Sequence, residues 1–156
     1  MKEKENVMKY SEEVAEKLNE LLEKNYDAEK GYKFAAEHIK SETLKAFFSE
    51  RAKERYDFGH ELKAEIRNFG ENPDKGSSLA ADAHRTWMNL KTTLPGNKEE
   101  AVLEEAVRGE KIAVEEYEKI LKDTSIPPST QNVLLKQKNA IVASLNEVKS
   151  LEHQYD

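Results

Sequence analysis

Apolar residues recur at intervals of three and four along four long stretches of the chain, and short stretches containing glycine or proline separate them. This interval places apolar side chains on one face of a helix. Glycine and proline interrupt helices, and here they cluster at residues 70–76, at Pro95-Gly96 and at Pro127-Pro128. The pattern therefore predicts an all-α protein built from four main helices.

The predicted helices leave two kinds of connection. Their expected bounds are residues 11–40, 41–70, 99–122 and 129–156, with Ser11 and Ser41 as N-caps of the first two. Short turns join the first helix to the second and the third to the fourth, whereas residues 70–98 form a long crossover. Two helical hairpins joined by one long crossover give the ferritin-like topology of a four-helix bundle.

Three further expectations concern the remaining segments. Residues 1–10 should be a flexible, charged lead-in, and residues 11–156 a single domain. The crossover should contain a short extra helix carrying Trp87, which either closes one side of the bundle or presents a surface to a protein partner. Gly109, inside the third helix, either allows a neighbouring element to approach closely or marks a site.

Composition excludes several classes of function. The chain has no cysteine, which excludes disulfides, thiolate metal sites, iron–sulfur ligation and cysteine nucleophiles. A net charge of −6 gives no basic surface for nucleic acid. No apolar run approaches the roughly 20 residues that span a bilayer, and no catalytic triad, phosphate-binding loop or dinucleotide fingerprint is present. We therefore expect a cytoplasmic, non-enzymatic protein without a nucleic-acid or membrane partner.

Polar residues interrupt the apolar stripe of every predicted helix near its middle. They are Asn25, Glu29, Arg51, Arg55, Glu110, Gln137 and Lys138. Folding the first hairpin places Glu29 opposite Arg51 and Arg55, and folding the second places Glu110 within about a turn of Lys138. Because burying an ion costs several kcal/mol unless it is paired, the sequence predicts a buried layer in which carboxylates pair with cations.

The alternative interpretation is a reduced metal centre. Ferritin-like di-iron proteins take one Glu from each of two helices and a Glu-x-x-His pair from each of the other two. Glu29 and Glu110 could supply the single carboxylates for iron or manganese. The Glu-x-x-His pairs are missing: His60 follows Asp57 away from the stripe, and the last helix has only His153 near its end. The leading interpretation therefore has no cofactor, and the metal-binding or oxidoreductase interpretation stays as the alternative.

Five stretches also match a known pattern, at residues 25–37, 44–48, 83–91, 108–113 with Tyr117, and 136–138. Over residues 18–151 the chain resembles a bacterial four-helix-bundle family of unknown function within the ferritin-like superfamily. The resemblance implies a ferritin-like bundle without an assigned activity. Relatives in the wider superfamily store iron, reduce peroxides or respond to stress, and they often dimerise, so we expect a stress-related or interaction role and a homodimer. Members often carry a His-Asp pair on the last helix, where this chain has Leu145-Asn146, so no ligand is carried over.

Overall fold

The computed structural model describes residues 2–73 and 98–154, with the side chains of residues 10–73 and 99–154. Within these ranges the chain forms four helices and no strand. The helices are α1 (Lys2–His38), α2 (Glu42–Asn68), α3 (Lys98–Leu121) and α4 (Pro128–Gln154). The predicted all-α four-helix bundle is confirmed. The predicted extra helix and Trp87 lie outside the described residues.

The start of α1 differs from the prediction. The helix begins at Lys2, so Ser11 lies within it and is not its N-cap. Residues 2–9 are mostly Glu, Lys and Met. These are good helix formers, so the helix continues from Ser11 towards the N-terminus. The Tyr10 ring packs edge-on against Phe69 at 6.4 Å, and its hydroxyl donates to the Ser125 carbonyl. The flexibility expected of residues 1–10 stays a prediction.

The first hairpin has the local chemistry that its sequence predicted. Ser41 caps α2, where its Oγ accepts a hydrogen bond from the Leu44 backbone N–H at 3.3 Å. At the other end of α2, Gly70 adopts a φ of 76°, a left-handed conformation that favours glycine. Its N–H donates to the Arg67 carbonyl at 2.9 Å. These two ends fix the length of α2.

The core consists of two hydrophobic clusters stacked along the bundle. One joins the N-terminal halves of α1 and α4 to the C-terminal halves of α2 and α3, and it includes Leu18, Leu62, Ile120 and Leu134. The other joins the opposite halves and includes Ile39, Phe48, Leu103 and Val148. Hence α1 and α4 run in one direction and α2 and α3 in the other, and the connection from α2 to α3 has to span the length of the bundle.

None of the helices in residues 2–73 and 98–154 is long and apolar enough to cross a membrane.

A buried polar layer as the candidate functional site

Buried polar side chains lie where the two hydrophobic clusters meet. They include Asn25 on α1, Arg55 on α2, Glu110 on α3, and Gln137 and Ser144 on α4. Each helix therefore contributes to one polar layer. Because an unpaired polar group in such a place is unfavourable, the contacts of these side chains decide what the layer can do.

Arg55 is the centre of the layer. Its Nη1 donates to Asn25 Oδ1 at 2.8 Å, and its Nη2 donates to Glu110 Oε1 at 2.5 Å. The Arg55 and Glu110 side chains are each only 3% exposed. The guanidinium therefore links α2 to both α1 and α3 through charged and amide groups that water hardly reaches.

A second set of hydrogen bonds extends from Asn25 to α4. The Asn25 Nδ2 donates to the Leu21 carbonyl at 2.8 Å and to the Tyr117 hydroxyl at 2.9 Å. The hydroxyl in turn donates to Gln137 Oε1 at 2.7 Å, and Gln137 Nε2 donates to the Phe58 carbonyl at 3.3 Å. The chain of contacts that begins at Glu110 thus passes through all four helices.

The electrostatics leave one ionised pair among neutral groups. Burial by itself would lower the pKa of Arg55, but Glu110, Tyr32 and Tyr117 together outweigh it, and the net shift is upward. Burial raises the pKa of Tyr117 to about 12, against the opposing effects of Arg55 and the Asn25 hydrogen bond. Burial also raises the pKa of Tyr32 well above its usual value, and Glu110 raises it further. The arginine is thus a permanent cation, and both tyrosines stay neutral.

The predicted partners of Glu29 are wrong. Its Oε2 contacts Lys33 Nζ at 3.0 Å along α1, and its side chain is 12% exposed in the groove between α1 and α2. A residue four positions after Asn25 is rotated about 40° around the helix from it. That rotation turns Glu29 towards the groove, so Arg55 pairs with Glu110.

The predicted partners of Arg51 and Lys138 also differ. Arg51 lies near two carboxylates of its own helix, Glu50 at 3.7 Å and Glu54 at 3.9 Å. Lys138 contacts Glu118 at 3.5 Å at the edge of the bundle, where the prediction had paired it with Glu110. Neither cation takes the place of Arg55 or Glu110 in the buried pair.

Tyr32, Tyr117 and Ser144 are not among the polar residues from which the layer was predicted. A signal for them was present, because each lies seven residues from a polar residue of the same stripe. The pairs are Asn25 with Tyr32, Glu110 with Tyr117, and Gln137 with Ser144. Seven residues are about two helical turns and return to nearly the same face. A polar or hydroxyl-bearing side chain at this interval is therefore the sequence signal for all three.

Metal-ligating side chains do not gather in the described part of the chain. Residues 2–73 and 98–154 contain no group of three or more His, Asp or Glu placed to hold a metal ion. The Glu29 and Glu110 carboxylates make different contacts, one with Lys33 and the other with Arg55. The geometry therefore offers a charge-paired layer, with Glu110 engaged by an arginine.

The fold and this layer define a class, the all-α four-helix bundle with a charged hydrogen-bond network across its core. Residues 13–123 match the family described as Domain of unknown function (DUF2383), and the chain belongs to that family. The match confirms the predicted family of unknown function, and it includes Asn25, Arg55, Glu110 and Tyr117. The comparison with curated proteins finds no match.

Proposed function

We propose that this chain is a non-enzymatic bundle of the ferritin-like class, in which a charge-paired network takes the place of a di-metal centre. The observation that carries the proposal is the contact between Arg55 and Glu110, at 2.5 Å and almost fully buried. The order of helix directions, with one long connection between α2 and α3, supports the ferritin-like class.

Arg55 disfavours a metal ion at Glu110. A guanidinium cannot lose its proton inside a protein, so it can neither ligate a cation nor become neutral to accommodate one. Arg51 adds a second positive charge one turn away on α2. A metal at Glu110 would have to bind through Oε2, because Oε1 contacts Arg55, and it would have to tolerate both cations nearby.

The network suits a role in fixing the relative positions of the helices. Arg55, Asn25, Tyr117 and Gln137 bond each other only when all four helices are aligned at this level. A helix that slides by one turn leaves several buried groups without partners, at about 1–3 kcal/mol each. The layer thus favours one register over the alternatives that two purely apolar clusters would allow.

Beyond the core, we infer a stress-related or interaction role in the cytoplasm, exercised through the surface of the bundle as a homodimer or with a protein partner. The net charge of −6 argues against nucleic acid as the partner. Tyr56, Ile112 and Leu135 are large apolar side chains left exposed on three different helices, and they are the first positions to alter. Sedimentation at increasing protein concentration tests for the dimer.

The alternative is a metal-binding or oxidoreductase bundle that uses Glu29 and Glu110 with iron or manganese. One observation favours it: Glu110 Oε2 is buried and has no hydrogen-bond partner among the described residues.

The two functions are separated by thermal unfolding of chelator-treated protein with and without Fe(II), Mn(II) and Zn(II), with bound metal assayed alongside. A site filled at about one hundred times its Kd stabilises the fold by about 2.7 kcal/mol, which a melting curve detects readily. We expect no stoichiometric metal and no shift. Stoichiometric metal with a rise in melting temperature that Glu110→Gln and Glu29→Gln abolish would overturn the proposal.

A further inference from the structure

A second polar level lies two turns from the hydrogen-bonded one. Tyr117 and Gln137 are bonded to each other across α3 and α4. Glu110 lies seven residues before Tyr117, and Ser144 lies seven residues after Gln137. Because α3 and α4 are antiparallel, both steps lead about 10 Å towards the same end of the bundle. Glu110 and Ser144 therefore face each other at this second level.

Side chains of α1 and α2 complete the level. Tyr32 lies seven residues after Asn25 on the inner face of α1 and stacks on Phe48, with ring centroids 5.8 Å apart. Glu110 raises the pKa of the Tyr32 hydroxyl both through its charge and as a hydrogen-bond partner, whereas Arg55 and Arg51 lower it. Arg51 is one turn from Arg55 on α2, and it reaches the level from the side.

This second level holds polar atoms that residues 10–73 and 99–154 leave without hydrogen-bond partners. Glu110 Oε2, Arg51 Nε and Ser144 Oγ are all buried, and none has a hydrogen-bond partner within the described part of the chain. They belong to α2, α3 and α4, and they lie at the same level along the bundle axis. Nearly all buried polar groups in folded proteins are bonded to protein or to ordered water, so three exceptions at one place point to a bound molecule.

The three atoms specify the chemistry of that molecule. Glu110 Oε2 needs a donor, Arg51 Nε needs an acceptor, and the Ser144 hydroxyl can serve as either. A cation would face Arg51 and Arg55, and an anion would face Glu110. Only a small neutral molecule with both donor and acceptor groups fits all three.

A route from solvent reaches this level. Arg51 lies in the wall of a surface groove between α2 and α4, which Glu54, Asp57 and Lys136 also line. Burial raises the pKa of Glu54, even though Arg51 and Arg55 oppose the shift, so this groove wall is partly removed from water. Arg51 therefore spans the distance from the groove to the buried level.

We propose that ordered internal water occupies this second level, held between Glu110 Oε2, Ser144 Oγ and Arg51 Nε. Internal waters typically make about three hydrogen bonds to buried polar groups. The water completes the network by joining Glu110 to α4, which its bond to Arg55 does not do.

The first test is the sign of the effect of Ser144→Ala on the melting temperature. An unbonded buried hydroxyl is unfavourable, and alanine is the better helix former, so an empty level predicts a higher melting temperature. Water bonded to Ser144 Oγ predicts a lower one. Ser150→Ala is the matched control, because Ser150 is an exposed serine on the same helix. It should raise the melting temperature only by the small helix-propensity contribution of alanine.

The second test detects the water directly, by magnetisation transfer in NMR between long-lived bound water and the amides around Ser144 and Glu110. We expect cross-peaks in the full chain that weaken in Ser144→Ala, together with the lower melting temperature. If the cross-peaks are missing, the proposal is wrong whatever the melting temperature does. A melting temperature that rises in Ser144→Ala overturns it equally.

Discussion

The Arg55→Met substitution removes the cation that both Glu110 and Asn25 contact. Methionine is apolar, flexible and close in length to the aliphatic stem of arginine, so loss of packing is a small part of the effect. Two buried acceptors remain, the Glu110 carboxylate and Asn25 Oδ1. The free energy of unfolding should therefore fall for an electrostatic reason that can be calculated.

Two estimates of the loss agree. Removing one member of a buried ion pair costs about 3–5 kcal/mol. Independently, the stranded carboxyl can take up a proton, which costs about 1.4 kcal/mol for each pH unit above about 4.3, or about 4 kcal/mol at pH 7. The unsatisfied Asn25 oxygen adds about 1 kcal/mol. We expect a total loss of about 5 kcal/mol at neutral pH.

The pH dependence identifies the cause. In folded Arg55→Met, Glu110 holds a proton that the unfolded chain releases above about pH 4.3. The stability of the variant relative to the parent chain should therefore fall as pH rises, and its deficit should shrink by about 1.4 kcal/mol per unit on acidification. Glu110→Gln strands Arg55, which stays charged throughout, so its deficit should not shrink in this way.

Urea unfolding followed by circular dichroism between about pH 4.5 and 7 measures both deficits. Arg108→Met is the matched control, because Arg108 pairs with Glu105 on the surface of α3 and is 58% exposed. Such a pair contributes about 0–1 kcal/mol. A deficit for Arg55→Met no larger than that of the control, or one that is independent of pH, would refute the reasoning.

Three more outcomes follow from single positions. Hydrogen bonds from Lys17 and Ser125 hold the pKa of Asp123 at about 2, against an ordinary value of 3.8. The stability that the ionised Asp123 contributes is therefore present above about pH 3.8 and lost as pH falls towards 2. In Asp123→Asn, the free energy of unfolding should depend less on pH in that window. Burial raises the pKa of Tyr117 from 10.0 to about 12. The stability that the neutral Tyr117 side chain contributes to the fold is therefore lost as pH rises through that interval. Tyr117→Phe should reduce this alkaline loss of stability in unfolding curves. An added Cβ at Gly109 would meet nothing within 4 Å among the described residues. Because alanine is the better helix former, Gly109→Ala should raise the free energy of unfolding, measured in urea, by about 1 kcal/mol. A decrease would contradict this.

The fold was predictable because its signals are local. Apolar spacing determines each helix face, Ser41 provides a cap, and Gly70 provides the left-handed residue that ends α2. The predicted start of α1 was wrong because Ser11 can cap the helix only if the residues before it are not helical. Strong helix formers precede Ser11, so the helix continues through it. Helix boundaries depend on such competition between neighbouring signals.

The candidate site was predictable only in part. Position within a stripe indicated an inward direction for Asn25, Arg55, Glu110 and Gln137, and the structure buries all four. Which side chains pair depends on how far each helix is rotated and shifted against its neighbours. The roughly 40° between Asn25 and Glu29 follows from helix geometry, but no sequence pattern gives the rotation of α1 against its neighbours, which decides which of the two faces Arg55.

Arg55 and Glu110 compensate each other's charge within the core, and a double-mutant cycle measures that compensation directly. Arg55→Met and Glu110→Met should each lower the free energy of unfolding by about 4 kcal/mol or more at pH 7, whereas the double variant should lie within about 2 kcal/mol of the parent chain. Losses in the double variant equal to the sum of the two single losses would contradict the account.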